Sequence, residues 1–327
     1  MRLPALGPAA GSIGDRKKDA GITQQINTVG TRHAVSRQYT HHAQTLSVIP
    51  VSCLKNELST CVLGSSSGGN STLVWNSGTA ILIDCGFSPA YITSQLRRLG
   101  LTIQDLDGVF ITHIHGDHVN EWTVKTLIDE RIPIHCPPHI EPYLQKKYSG
   151  LARASRQSLL KSIKSSEIEL SEFVIRTFEV PHDSDGGCFG YNIFYDAEGR
   201  TKKVSVSTDM AYPTKSAVED IADSDVIVIE SNYDVDMLEK SARPIWLKRR
   251  IQEDGHLSND QCGESLLQII DKSQILPRSI ALAHISQECN TNALALECTE
   301  TALDGQGIRG ISVFETHPDR PGRTITI

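Results

Sequence analysis

The chain has 327 residues, 39% of them hydrophobic and 22% charged, and carries a formal net charge of −7. That balance suits a globular protein that buries a sizeable core without a disulfide or metal staple, and it excludes a whole-molecule basic field for nucleic acid. No run of about eighteen apolar residues exists, so no membrane span is expected, and no apolar signal-peptide core follows the start.

Cys53, Cys61, Cys85, Cys136, Cys188, Cys262, Cys289 and Cys298 form no C-x-x-C pair and show no framework spacing. They read as reduced thiols, most of them small buried apolar residues, of a cytoplasmic protein.

Residues 1–45 are rich in Gly, Ala, Ser, Thr and Gln. They hold Arg2, Arg16, Lys17, Lys18, Arg32 and Arg37 against only Asp15 and Asp19. No helical or strand period runs through them. A disordered tail is expected, with a targeting peptide as the alternative. Residues 46–327 are expected to form the folded domain.

Within it, Ser71–Trp75 and Thr79–Asp84 read as paired strands joined by Asn76-Ser77-Gly78. Ala90–Leu99 reads as a helix, Gly108–Thr112 as a strand, and Trp122–Ile128 as a helix. Further strands are expected at Phe173–Val180, Tyr191–Tyr195, Lys203–Ser207, Val226–Ile229 and Ile280–Ala283. Ser258 and Gln261 have the spacing of a capping box that opens a helix. Asn292–Leu303 is the last helix. Hairpins mixed with alternating β/α units argue for an α/β sandwich rather than a bundle.

The segment Thr112-His113-Ile114-His115-Gly116-Asp117-His118 places four potential metal ligands within six residues, directly after a strand. An extended backbone would point His113 and His115 the same way. A lone histidine is more often structural than a ligand. Crowding three with an aspartate loses solvation unless a positive charge sits among them. Imidazole and carboxylate suit zinc, and also manganese or iron.

More candidates follow other apolar runs: His182 after Val180-Pro181, Asp209 after Val204–Thr208, Glu230 after Val226–Ile229, and His284 after Ile280–Ala283. Each alone could be an ordinary exposed strand end. Together they would gather at one edge of a sheet, where α/β proteins bind ligands.

His256 follows no strand and precedes the helix start at Ser258. Free N–H groups there could hold a phosphate, with His256 and Ser258 binding substrate and His256 donating a proton. A histidine in a surface loop is the plainer alternative. The Gly64–Ser71 stretch lacks the Gly-Lys-Ser/Thr ending of a nucleotide loop and reads as a tight turn. Between Pro142 and Ser166 stand Lys146, Lys147, Arg153, Arg156, Lys161 and Lys164 with no acid, and Lys248-Arg249-Arg250 is a second basic run. Either could meet a nucleic-acid backbone or be a solvated face.

The pattern H-x-H-x-D-H, then His, Asp and His, resembles the metallo-β-lactamase superfamily. Gly64–Ser71, Glu230-Ser-Asn-Tyr-Asp234, Gly255-His-Leu-Ser-Asn259 and Leu282-Ala-His-Ile-Ser286 resemble its YycJ/WalJ branch, related to ribonuclease Z. The resemblance implies a four-layer αββα sandwich. It implies two divalent metals, zinc with manganese as the alternative: one on His113, His115 and His182, the other on Asp117, His118 and His284, with Asp209 bridging. It implies a phosphodiesterase, a nuclease acting on DNA (as an exonuclease) or on RNA, in which a metal-bridging hydroxide attacks phosphorus. Asp117 and Asp209 would orient the hydroxide, and Glu230 would hold a ligand histidine in its tautomer. The rival readings are a thioester or lactone hydrolase on the same site, a hydrolase of small cyclic phosphodiesters, and an idle binding module that keeps its metals for structure.

Overall fold

Strands buried on both faces build two sheets that share one inner core. A computed structural model of the chain describes residues 56–165 and 167–327. The expected tail over 1–45 and the boundary at 46 lie outside the described residues.

In the first sheet, β1 (Ser59–Ser66), β2 (Gly69–Trp75) and β3 (Ala80–Ile83) form an antiparallel meander. Gly64–Ser71, expected as a turn, is mostly strand: Gly64–Ser66 pairs with Gly69–Ser71, and only Ser67 and Gly68 form the turn. Between β2 and β3, Asn76 Oδ1 accepts from the Gly78 and Thr79 amides at 2.8 and 2.7 Å, which fixes the turn. The chain continues through α1 (Pro89–Arg98), β4 (Gly108–Phe110), α2 (Glu121–Asp129), β5 (Ile134–Cys136), α3 (Glu141–Lys147), α4 (Ser149–Arg156) and β6 (Leu160–Ser162). Here β3 to β6 run parallel.

The second sheet opens antiparallel with β7 (Glu167–Leu170), β8 (Phe173–Val180), β9 (Cys188–Ala197) and β10 (Arg200–Ser207). It turns parallel through α5 (Lys215–Ile221), β11 (Val226–Glu230), α6 (Val235–Lys240), α7 (Ile245–Arg250), α8 (Asn259–Lys272), β12 (Ser279–Ala283), α9 (Asn292–Gly305) and β13 (Ser312–Glu315). Finally β14 (Ile325–Thr326) crosses back to pair with β1.

Period-two alternation sorts the side chains into layers. Val74, Ile81, Ile83 and Phe110 meet Ile175, Tyr191, Val206 and Val228 between the sheets. Leu73, Leu82 and Val109 face outward, onto Ile92 and Leu96 of α1, Val124 of α2 and Leu151 of α4. Ile227, Ile229 and Leu282 face Val218 of α5, Leu266 and Ile269 of α8 and Ala295 of α9. The result is the expected four-layer αββα sandwich. Each fully buried Val, Leu, Ile or Phe contributes roughly 1.5–3 kcal/mol.

Helix starts follow their caps. Ser88, Asn120, Thr291 and Ser258 each accept a backbone N–H in the first turn, and the Ser258–Gln261 capping box is formed. The described cysteines are all free, and every one but Cys298 is buried. Among the described residues no helix is long and apolar enough to cross a membrane.

Candidate metal centre

Strand direction decides where the site lies. Because β8 and β10 both run antiparallel to β9, β8 points the same way as β10, β11 and β12. The C-terminal ends of these strands share an edge and carry His182, Asp209, Glu230 and His284. The loop after β4 brings His113, His115, Asp117 and His118 to them.

That loop departs from the extended backbone expected. The strand stops at Phe110, and the Thr112 amide donates to Asp84 Oδ1 at 2.9 Å instead of continuing the ladder. His113 and His115 therefore stand on irregular backbone. A turn follows, closed by the His118 and Val119 amides on the His115 carbonyl at 3.1 Å. The Ile114 carbonyl accepts from Lys147 Nζ at 2.9 Å and from the Tyr148 hydroxyl at 2.8 Å, which pins the loop to α3 and its end. Close approach also matters: a Cβ on Gly86 would lie 1.8 Å from the Asp117 carbonyl oxygen.

Three imidazole nitrogens converge in one half of the site. His113 Nε2 and His182 Nε2 stand 2.9 and 3.2 Å from His115 Nδ1. The protons of two of these rings are committed elsewhere. His182 Nδ1 donates to the Gly255 carbonyl at 2.6 Å, and His113 Nδ1 meets Thr112 Oγ1 at 2.9 Å, whose own hydroxyl donates to Asp84. The Nε2 lone pairs of His113 and His182 therefore both point at His115 Nδ1, an arrangement that suits a cation among the three.

The other half mixes acids and imidazoles. His118 Nε2 lies 2.9 Å from Asp209 Oδ2 and 3.5 Å from Asp117 Oδ2, and His284 Nε2 lies 3.2 Å from Asp117 Oδ2. Asp209 reaches both halves, since its Oδ1 is 3.8 Å from His182 Nε2. Buried Asp209 Oδ2 has no well-directed hydrogen bond despite the short approach of His118. A buried carboxylate oxygen without a donor is costly, and a metal ion is the partner that suits it. The donor set fits divalent metal.

Proton affinities separate the two halves. Burial, reinforced by neighbouring imidazoles, holds His113 well below the ordinary histidine range and brings His115 to about 4. His182 is lowered mainly by burial. Burial pulls His118 and His284 the same way, but the facing carboxylates win. Asp209, Asp84 and Asp117 raise His118, and Asp209 with Asp117 and Glu230 lifts His284 to about 10. Burial opposes ionisation of Asp117 and Asp209, yet both stay well below the usual carboxylate range because His118 and His284 face them. One half thus offers neutral donors, while the other demands positive charge.

Glu230 ends β11 and is fully buried. Its Oε1 accepts from His284 Nδ1 at 2.9 Å and from His256 Nδ1 at 2.7 Å; its Oε2 accepts from the Met210 and Leu257 amides at 2.9 and 3.2 Å. Sequence reading missed the equivalent group on His118, the other imidazole of this same half. Asp84, just past β3, accepts from His118 Nδ1 at 2.7 Å. Its signal was an acid closing a buried strand, as with Glu230. Asn70 was also missed. It sits on the β1–β2 hairpin with its Nδ2 3.0 Å from His118 Nε2. Asp84 and His284 both hold left-handed backbone, φ 61° and 53°.

A cleft of about 220 Å³ opens over these residues, lined by His115, Asp117, His182, Asp209, His256 and His284 with Ser67, Leu247, Arg250 and Ile251 at its rim. His256 is partly exposed there, after a π-helical turn at Ile251–Gly255. Ser258 does not join it. Ser258 is buried, its hydroxyl caps Gln261, and its amide donates to Gln261 Oε1. The Asn259 amide is taken by the Tyr233 carbonyl. The expected phosphate contact at this helix end is therefore corrected: the capping box that starts the helix uses the groups that would have met a ligand.

A family model described as a β-lactamase superfamily domain matches residues 79–285. The chain is similar to exodeoxyribonuclease YycJ of Bacillus anthracis, 26% identical over 261 residues that cover 80% of this chain and 94% of that protein. It is 28% identical over 270 residues to exodeoxyribonuclease WalJ of Streptococcus pneumoniae, covering 79% and 94%. Among solved structures, the metallo-β-lactamase fold protein YhfI from Bacillus subtilis superposes with a TM-score of 0.60 at 16% identity, covering 83% of this chain and all of that one.

Proposed function

The chain belongs to the metallo-β-lactamase superfamily of metal-dependent hydrolases, and from that premise we propose that it is a dinuclear phosphodiesterase acting on DNA as a nuclease. The observation that carries this reading is the donor set around Asp209. Neutral imidazoles converge on one side, and an acid–imidazole cluster on the other leaves Asp209 Oδ2 without a well-directed partner. His113, His115 and His182 would hold one ion, Asp117, His118 and His284 the second, with Asp209 between them. When bound, zinc or manganese ions there would acidify a water molecule and neutralise the phosphate.

The chain's own residues would do the rest. Asp117 and Asp209 orient the attacking water by accepting its hydrogen bond. Asp84, Thr112, Gly255 and Glu230 fix the tautomers of His118, His113, His182 and His284. Glu230 also takes the Nδ1 proton of His256, so that His256 Nε2 is the nitrogen left for substrate. In its imidazolium form His256 would also carry a proton on Nε2, and delivery of that proton to the leaving alkoxide suits a phosphodiester. DNA is favoured because the relatives named exodeoxyribonucleases match along nearly their whole length.

The test is a panel of labelled single- and double-stranded DNA and RNA, a cyclic phosphodiester, bis(p-nitrophenyl) phosphate, a thioester and a lactone, with each metal restored after chelation. Metal-dependent cleavage of DNA is expected. Turnover confined to the thioester or lactone would overturn the reading.

A further inference from the structure

Four aromatic side chains are strongly exposed among the described residues: Trp122, Tyr143, Tyr212 and Trp246. All four stand on segments that carry or touch the metal-site loops. Trp122 opens α2, four residues after His118. Tyr212 comes three residues after Asp209. Tyr143 packs against Gly186, in the loop after His182. Trp246 lies on α7, whose next residue Leu247 and whose last residue Arg250 line the cleft. Exposed aromatic surface carried on segments that adjoin the metal-site loops points to a use beside the site.

Trp246 is the most telling of the four. It is 65% exposed, beside Ile245 at 71%, and α7 buries none of its residues. Packing of the core therefore does not explain the indole. Lys248, Arg249 and Arg250 follow it directly in a chain whose net charge is −7. Lys248 Nζ donates to the Glu239 carbonyl and Arg250 pairs with Asp183. Arg249 is exposed and has no ion-pair partner among the described residues. An exposed indole with an exposed guanidinium three residues on, on the helix whose Leu247 and Arg250 line the cleft, matches a base and its phosphate.

We propose that Trp246 is a base-stacking platform, with Arg249 as its phosphate contact, that holds single-stranded DNA at the entrance of the cleft. The inference rests on the nuclease reading and adds strand preference to it. Bases in a duplex are already stacked on one another, so an indole face gains contact only with an unpaired base. A protein partner seated on Ile245 and Trp246 is the competing use of this surface, and charge complementarity with the basic run favours DNA.

The measurement is kcat/KM of the metal-loaded full chain on single-stranded DNA, on the same sequence as RNA, on blunt duplex DNA and on bis(p-nitrophenyl) phosphate. Trp246→Ala should lower the ratio of single-stranded DNA to small diester by roughly 5- to 100-fold, the scale of one lost stacking contact. Trp246→Phe should restore most of it, which a purely structural defect would not do. Arg249→Ala should flatten the salt dependence of KM on DNA. An unchanged ratio in Trp246→Ala overturns the platform and leaves the surface to a protein. A change seen with RNA alone overturns the assignment to DNA. Failure of the wild-type protein on every nucleic acid would instead sink the nuclease reading itself, so the two failures are distinguishable.

Discussion

Glu230 and His256 are joined by a hydrogen bond of 2.7 Å from the imidazole Nδ1 to the buried carboxylate. The same oxygen accepts from His284 Nδ1 at 2.9 Å. One acid therefore orients a residue of the donor set and a residue of the cleft wall, and their chemistry is coupled through it.

His256→Ala should lower kcat on DNA by roughly 10²–10⁴-fold, the scale of a positioned proton donor. Metal content by elemental analysis should stay at the wild-type value. On bis(p-nitrophenyl) phosphate, whose leaving group needs little protonation, the defect should shrink. Loss of a metal equivalent would make His256 a ligand, and full activity on all phosphodiesters would return it to a plain loop residue.

Glu230→Gln keeps the shape but weakens the acceptor that fixes both imidazoles. Metal affinity by chelator competition should fall roughly 10–100-fold, the scale for partners that orient ligands. Asp84→Asn should do the same through His118. The two substitutions bear on different imidazoles of the same half, so wild-type affinity in both would contradict the orienting role.

Elemental analysis of metal-replete protein should give about two equivalents, since the donors exceed what one tetrahedral site needs. His115→Ala should lower metal content and turnover together. Chelation should lower Tm, because a ligand bound only to the folded state stabilises it. A value near zero after metal-replete expression would refute the dinuclear site.

Removal of residues 1–45 should leave turnover unchanged, because that stretch has no core-forming pattern. Loss of activity or misfolding in the shortened chain would show that it belongs to the domain.

His135 offers a test away from the site. Its ring stacks on Phe110 at 4.6 Å, and neither nitrogen has a hydrogen-bond partner. Burial, helped by Lys161, brings its pKa from 6.5 to about 4. Between those values the unfolded chain binds the proton and the folded chain does not. Stability from this residue is complete above pH 6.5 and is lost as pH falls towards 4. The loss is on the order of 3 kcal/mol at most. Urea midpoints for His135→Phe should fall less steeply with acid than wild type. Parallel curves would show that His135 takes no part.

The amino-acid sequence by itself determined the layers and most of the candidate site. Period-two alternation marked Phe173–Val180 at the bounds observed, and Ser258 with Gln261 marked the start of α8. His182, Asp209 and His284 were legible because each stands just after an apolar run, and His113, His115, Asp117 and His118 because they crowd into six residues after a strand. Local pattern reaches that far because burial and capping are set by near neighbours in the chain. Short or uneven elements escaped it: β5, β6, β13 and β14 have too few residues to show a period. The tertiary structure alone decided what each polar group faces. It took the Thr112 amide from the strand for Asp84 and brought His256 onto Glu230 across 26 residues of chain. Such pairings depend on how strands from two sheets meet at one edge, and no local spacing records that meeting.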